Sequence, residues 1–173
     1  MSQAPTITPP PRNIVVTLLG VLTLLWGLAI LAFFIYGIAF FNDWLNLFMK
    51  GMNVAANQDP KVTQEQKEQL ENFFATFRNM INVIFGFFAF IGLIGFIGGI
   101  GVTFRIGRVL AIIFALLNAL IGGGALNQGL KATPPVPLNE MIVPIAMLAY
   151  GVITFFVLLF VGSEFRRERG VVT

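Results

Sequence analysis

Four long apolar segments without a charged residue in their interior set the strongest limit on what this chain can fold into. They cover residues 14–41, 80–103, 106–126 and 141–162. A helix needs about 20 apolar residues to cross the hydrocarbon core of a bilayer, which is about 30 Å thick. The composition agrees, because 57% of the residues are hydrophobic and 11% are charged, against about 25% charged in a soluble domain. We therefore predict an all-α integral membrane protein built as a four-helix transmembrane bundle.

Shorter segments frame this four-span domain, which is predicted over residues 13–162. Residues 1–12 contain four prolines and are predicted to form a disordered cytoplasmic tail, because proline removes backbone donors and favours extended conformers. Residues 163–173 are predicted to form a basic cytoplasmic tail. Asn139 is expected to be the N-cap of the fourth span, since asparagine side chains accept from free amides at helix starts.

Arginines near the ends of the spans predict the orientation of the chain. Six of them lie on one side of the predicted membrane: Arg12, Arg105, Arg108, Arg166, Arg167 and Arg169. Cationic side chains near span ends are retained on the cytoplasmic side. We therefore expect a multi-pass protein of the cell (inner) membrane with its N- and C-termini in the cytoplasm.

The long connection between the first two spans, residues 42–79, is predicted to form a helical hairpin outside the bilayer, called the hairpin below. Thr63 and Gln66 match a capping box, in which each side chain satisfies a free backbone amide of the other. No helix breaker separates this arm from the second span, so a helix over residues 63–103 would be about 60 Å long. Apolar side chains are expected to pair across the hairpin, with Phe73, Phe74 and Phe77 against Leu45, Phe48 and Met52.

The aromatic side chains of the hairpin also predict a surface for a partner. The partner-facing candidates are Phe48, Phe73, Phe74 and Phe77. An alternative for residues 43–53 is a helix lying in the membrane interface, with Trp44 at headgroup depth.

Small residues recur at helical spacing in the second and third spans. The second span carries Gly92, Gly95, Gly99 and Thr103, and the third carries Ala111, Ala115, Ala119 and Gly123. Helices in lipid associate through close backbone packing, which needs small residues at the contact. We therefore predict small-xxx-small packing of these two spans against each other across their tight connecting turn.

Uncharged polar side chains from different spans are candidates for one layer near mid-membrane: Trp26, Asn118, Tyr150, Thr23 and Thr154. Trp26, Asn118 and Tyr150 lie about 10 to 12 residues from the predicted cytoplasmic ends of their spans, and the threonines lie about one turn away. Buried indole and phenol groups normally find a hydrogen-bond partner. The first interpretation is a set of contacts that fixes the register of the bundle, and the second is a small-ligand or lipid-headgroup site.

Residue types also bound the function. The chain has no cysteine and no histidine, and the interiors of its spans contain no Asp, Glu, Lys or Arg of the kind that marks transporters and membrane enzymes. We expect no catalytic residues, no metal, no cofactor and no nucleic-acid partner. The layout is similar to the general tetraspan topology, without the cysteines of tetraspanins and claudins.

The predicted function is therefore that of a non-enzymatic accessory or scaffold subunit, which contacts membrane lipid and presents the hairpin to a protein partner or to another copy of itself. The alternative is a small oligomeric channel or carrier for an uncharged or lipid-like solute.

Overall fold

The computed structural model describes residues 14–58, 62–134 and 136–161, and these form an all-helical structure. Its four helices are α1 (Ile14–Gln58), α2 (Gln64–Thr103), α3 (Val109–Lys131) and α4 (Ile142–Phe160). Each helix is long and apolar enough to cross a membrane, which is compatible with a multi-pass membrane protein. The predicted tails at 1–12 and 163–173 lie outside the described residues. They contain four of the arginines used to predict orientation, which are Arg12, Arg166, Arg167 and Arg169.

Helices α1 and α2 both continue through the hairpin. At 1.5 Å per residue, α1 is about 67 Å long and α2 about 60 Å long, which is about twice the hydrocarbon thickness. The predicted capping box is confirmed, because the Thr63 amide donates to Gln66 Oε1 at 3.0 Å and the Gln66 amide donates to Thr63 Oγ1 at 3.3 Å. Residues 43–53 form part of α1, which passes through that segment without a break, and the headgroup depth considered for Trp44 stays a prediction.

A tight turn follows α2. The Phe104 amide donates to the Ile100 carbonyl at 3.0 Å, and the Gly107 amide donates to the Gly101 carbonyl at 3.2 Å. Between them Arg105 adopts a left-handed backbone with φ 57°, the conformation that usually ends a helix with glycine. The turn delays the start of α3 to Val109, three residues later than predicted, and α3 continues to Lys131 instead of ending near residue 126.

The start of α4 differs from the prediction. Its N-cap is Met141, which makes no side-chain capping bond, so the expected cap at Asn139 is wrong. The chain before it forms two short turns, in which the Glu140 amide donates to the Pro137 carbonyl and the Met141 amide to the Leu138 carbonyl. These backbone bonds satisfy the amides that a capping side chain would otherwise serve.

The chain divides into two compact units. Unit 1 comprises Met1–Leu24 and Ile97–Thr173, and unit 2 comprises Leu25–Phe96. The core of unit 1 takes one buried side chain from each helix, and these are Val16, Val102, Ala111 and Leu158. In unit 2 the buried apolar residues are Leu45, Ala89 and Ile91.

Candidate functional site

Glycines bring the backbones of α1 and α2 into direct contact. A Cβ atom added to Gly27 would lie 2.3 Å from the Phe96 amide nitrogen and 2.5 Å from the Gly95 carbonyl carbon. A Cβ added to Gly92 would lie 2.5 Å from the Leu31 amide nitrogen. No side chain fits at such distances, so only glycine at these positions allows the two backbones to approach this closely.

The predicted glycine face of α2 is therefore turned towards α1. A Cβ added to Gly99 would lie 2.3 Å from the amide nitrogen of Leu24 in α1, and one added to Gly20 would lie 2.5 Å from Thr103 Oγ1. The predicted pairing of this face with α3 is wrong for Gly92 and Gly99. Gly98, which was outside the predicted stripe, is the glycine that approaches α3, with its added Cβ 2.6 Å from the Ala111 amide nitrogen.

The small residues of α3 contact two different helices. Ala111 meets α2, whereas Ala115 and Ala119 meet Gly151 of α4, whose added Cβ would lie 2.5 Å from the Ala115 carbonyl oxygen and from the Ala119 amide nitrogen. The small residues of α3 thus serve two neighbours rather than one.

Gly122 extends the contact with α4. Its added Cβ would lie 2.6 Å from the Leu148 amide nitrogen, while the Cβ added to the predicted Gly123 would meet only a Leu148 side-chain carbon at 3.7 Å. Gly123 was predicted to pack against the second span, but the close backbone contact at this level is made by Gly122, and it is made with α4.

Polar side chains form a chain of hydrogen bonds inside unit 1. The Tyr150 hydroxyl donates to Thr23 Oγ1 at 2.9 Å, and Thr23 Oγ1 donates to the Leu19 carbonyl at 2.8 Å. Thr23 is fully buried. These bonds tie α4 to α1 at one level, and they bring together two members of the predicted polar layer.

Two further members of the predicted layer are buried in the same unit. Asn118 donates to the Phe114 carbonyl at 2.9 Å, and the Phe114 ring meets the Tyr150 ring edge-on with centroids 6.0 Å apart. Thr154 is buried one turn beyond Tyr150, and its hydroxyl makes no hydrogen bond of normal geometry. Trp26 belongs to unit 2, so its place in this layer stays a prediction.

The side chains of the hairpin pack as predicted at one contact. Phe48 and Phe74 meet edge-on with centroids 5.6 Å apart, and Phe77 meets Phe41 at 5.8 Å. Of the four predicted partner-facing residues, Phe73 and Phe48 are exposed, at 62% and 42%. Phe74 and Phe77 are half-buried, because they fill the space between the two arms.

A cleft lies between the two arms, near the last turns of α1 and the first turns of α2. It has a volume of about 670 Å³ and is lined by Met52 and Ala55 of α1 and by Leu70 and Phe73 of α2, with further side chains from Val62, Gln66 and Gln69. The exposed face of Phe73 is part of this cleft, so the aromatic surface and the cleft are one continuous feature.

Sequence reasoning missed a polar cluster between the two arms, formed by Asn42 and Asn46 of α1 and by Arg78 and Asn82 of α2. Asn42 Nδ2 donates to Asn82 Oδ1 at 3.2 Å, and Arg78 Nη2 donates to Asn46 Oδ1 at 2.5 Å. We call these four residues the Asn–Arg cluster. Its signal in the sequence is a pair of polar residues four apart on each arm, which places both members of a pair on one helix face.

Arg108 makes a second contact that the sequence did not reveal. Its guanidinium donates to the Leu158 carbonyl and, at 3.3 Å, to the Leu159 carbonyl. The last carbonyls of a helix lack partners inside the helix, and a cation there is also favoured by the helix dipole. Arg108 therefore caps the end of α4 as well as carrying a charge that predicts orientation.

Comparisons with known proteins give no relative. No protein-family model matches the chain, no curated protein is similar to it, and no solved structure is similar to its fold. Within residues 14–58, 62–134 and 136–161, no group of three acidic side chains lies close enough to hold a metal ion. The function must therefore be argued from the helices and from the side chains that they expose.

Proposed function

We propose that this chain is a non-enzymatic, multi-pass protein of the cell (inner) membrane, an accessory or scaffold subunit that presents the hairpin to a protein partner. The observation that carries the proposal is the length of α1 and α2. Beyond its uncharged segment, α1 continues for residues 42–58, which is about 25 Å of helix. A four-span protein that only anchored itself in lipid would not need this extension.

The surface of the hairpin supports a protein partner. Phe48 and Phe73 are exposed large apolar side chains, and Phe73 also lines the cleft between the arms. Exposed apolar surface outside lipid is typical of interaction sites. Leu45 is 0% exposed, and the Phe48–Phe74 contact holds the two arms together. A surface held on two paired helices loses little conformational entropy when a partner binds.

Co-purification tests this proposal. The full-length chain, extracted in a mild detergent, is expected to bring down a membrane or envelope protein after cross-linking. Phe73→Ser should reduce recovery of that protein, because it removes an exposed aromatic contact without opening the interior of the hairpin. Glu68→Ser, on an exposed position of the same helix, is the matched control and should leave recovery unchanged. A chain that purifies alone in every mild detergent contradicts the proposal.

The proposed orientation places residues 1–12, 104–108 and 163–173 in the cytoplasm. Since the chain has no cysteine, a Thr173→Cys variant carries a single thiol. An impermeant maleimide is expected to label it only after the cells are opened. Labelling in intact cells would reverse the orientation and place the hairpin in the cytoplasm.

The rival proposal is a small oligomeric channel or carrier for an uncharged or lipid-like solute. The uncharged polar set of Thr23, Asn118, Tyr150 and Thr154 favours it, because the Thr154 hydroxyl is buried without a hydrogen bond of normal geometry. Flux of a neutral solute into liposomes carrying the purified chain, reduced by Thr154→Val, would support this rival. Equal leakage with and without the protein would remove it.

A further inference from the structure

The Asn–Arg cluster contains a cation, Arg78, whose hydrogen-bond partners among the described residues are all uncharged. Arg78 is half-buried between the two arms, and its hydrogen-bonding partners are the Asn46 amide oxygen and, at 3.8 Å, the Met49 sulfur. Within the described residues it makes no ion pair with a carboxylate. Neutral partners fix the direction of the guanidinium but leave its full charge available to an anion.

The cluster also leaves hydrogen-bonding groups unused. Arg78 Nε and Asn42 Oδ1 are both buried without a hydrogen-bond partner. An unsatisfied buried group of this kind costs free energy, and more so when it belongs to a charged side chain. Hydrogen bonds between the two arms therefore do not satisfy all the polar groups of the four side chains.

The position of Arg78 along the chain matches the headgroup layer of a bilayer. Residues 79–104 carry no charge, and in a helix they span about 40 Å. A bilayer with its headgroup regions is about 40–45 Å thick, so this uncharged length of sequence is enough to cross it and to leave Arg78 at headgroup depth on the hairpin side. On α1, the exposed Tyr36 and Trp44 lie on either side of Asn42, and tyrosine and tryptophan concentrate at this depth.

We propose that the Asn–Arg cluster binds the phosphate group of a phospholipid in the leaflet on the hairpin side. The hydrogen bonds that Arg78 makes within the described residues use Nη2 alone, so Nη1 can donate a charge-assisted hydrogen bond to a phosphate oxygen. The amides of Asn46 and Asn82 can add further donors. A bound headgroup would fix the depth at which the two arms leave the membrane. This inference rests on the proposed membrane insertion, and it is independent of the proposed protein partner.

Lipid binding by the full-length chain tests the inference. The purified protein in detergent is titrated with dioleoyl phosphatidylglycerol or with a dioleoyl galactolipid that has no phosphate, and bound lipid is counted by native mass spectrometry. Arg78→Gln should weaken binding of phosphatidylglycerol about tenfold, which is the scale of one charge-assisted hydrogen bond. Binding of the galactolipid should not change. Lys50→Gln removes a cation from an exposed position further along the hairpin and should bind both lipids like the parent chain.

Two further measurements separate a lipid site from a free-anion site and from a purely structural contact. Arg78→Lys retains the charge but loses the guanidinium that Asn46 holds in one direction, so its phospholipid affinity should fall between those of the parent chain and Arg78→Gln. Millimolar inorganic phosphate should not displace the lipid, and full displacement would overturn the assignment to a lipid in favour of a free anion. Equal phospholipid affinity of all variants, with increased amide exchange of residues 64–79 in Arg78→Gln, would overturn the inference and leave Arg78 a contact between the arms.

Membrane insertion is measured separately, so the two proposals can fail independently. Carbonate extraction that releases the chain from membranes would contradict the proposed membrane protein. A chain that resists carbonate but binds phospholipid equally with and without Arg78 would contradict only this inference.

Discussion

Helices α1 and α2 contact each other in two regions that use opposite kinds of residue. In the apolar region the contacts are made by glycines, and a Cβ added to Gly27 or Gly99 would lie 2.3 Å from the facing backbone. In the hairpin the contacts are made by large side chains, such as the fully buried Leu45. The hairpin glycine, Gly51, has nothing within 4 Å of an added Cβ.

The difference follows from the solvent proposed for each region. In lipid no hydrophobic effect drives two helices together, so close backbone packing has to supply the attraction. In water, burial of apolar area is itself favourable by about 25 cal/mol per Å², so large side chains are the better contact. Under the proposed membrane placement, glycine contacts belong to the part of the helix pair in lipid and large side-chain contacts belong to the hairpin.

The largest expected effect is in the hairpin. Leu45→Ala removes a side chain that is 0% exposed and should cost about 2–5 kcal/mol of local unfolding free energy. Leu47→Ala, at a position that is 69% exposed, is the matched control and should change it by less than about 0.5 kcal/mol. Native-state amide exchange of residues 64–79 measures both. Equal effects would mean that the arms do not pack against each other.

A smaller effect is expected at the glycine contacts. Gly27→Ala and Gly151→Ala each force a methyl group onto a facing backbone and should cost about 1–3 kcal/mol. Gly86→Ala is the matched control, because an added Cβ there meets nothing within 4 Å, and it should be neutral or slightly stabilising. Denaturation in mixed detergent micelles gives the comparison. If all three variants unfold alike, backbone contact is not what joins these helices.

The capping box should contribute about 1 kcal/mol. Thr63→Ala removes the acceptor of the Gln66 amide, and loss of such a cap typically costs this amount. Thr63→Ser keeps a hydroxyl and should retain the stability. Faster amide exchange confined to the first turn of α2 is the expected signature. Fast exchange across the whole of residues 64–79 would instead show that this arm is not a stable helix.

The smallest effect is expected at the hydrogen bond between α4 and α1. Tyr150→Phe removes the donor to Thr23 and should cost about 0.6 kcal/mol, rarely above 1.7, as for other hydrogen bonds between helices in lipid. Tyr36→Phe, at an exposed tyrosine, is the control. A double-mutant cycle with Thr23→Val isolates the bond. A coupling energy of several kcal/mol would mean that the polar set does more than fix helix register.

Features governed by local chemistry could be predicted residue by residue. Thr63 and Gln66 form their capping box because both partners lie within one turn of each other, and nothing distant competes for them. The contact between Phe48 and Phe74 follows from apolar spacing on two arms that are close together in the sequence. Asn139 shows the limit of such reasoning, since backbone bonds from Glu140 and Met141 made its capping role unnecessary.

Features that depend on the facing helix could not be predicted in the same way. A helix with small residues on several sides can present any of them, and spacing alone does not choose the neighbour. Gly98 rather than Gly99 meets α3, and Gly122 rather than Gly123 meets α4. Neighbouring residues differ by about 100° in their direction around a helix. A prediction that misses by one residue therefore assigns the contact to a different face of the helix. Arg108 was assigned to orientation alone because its acceptors in α4 are about 50 residues away in the chain.

The sequence by itself determined four apolar helices and the continuity of α2 with its capped arm in the hairpin. It also determined which polar side chains of the apolar segments are uncharged and can therefore be buried. These follow from the free energy of transfer to lipid and from bonds within one helical turn, both of which act locally. Only the tertiary structure decided that the glycine face of α2 meets α1, that Tyr150 reaches Thr23, and that Arg78 lies among asparagines. These depend on the rotation of each helix about its axis, which is set by the summed packing of all its neighbours.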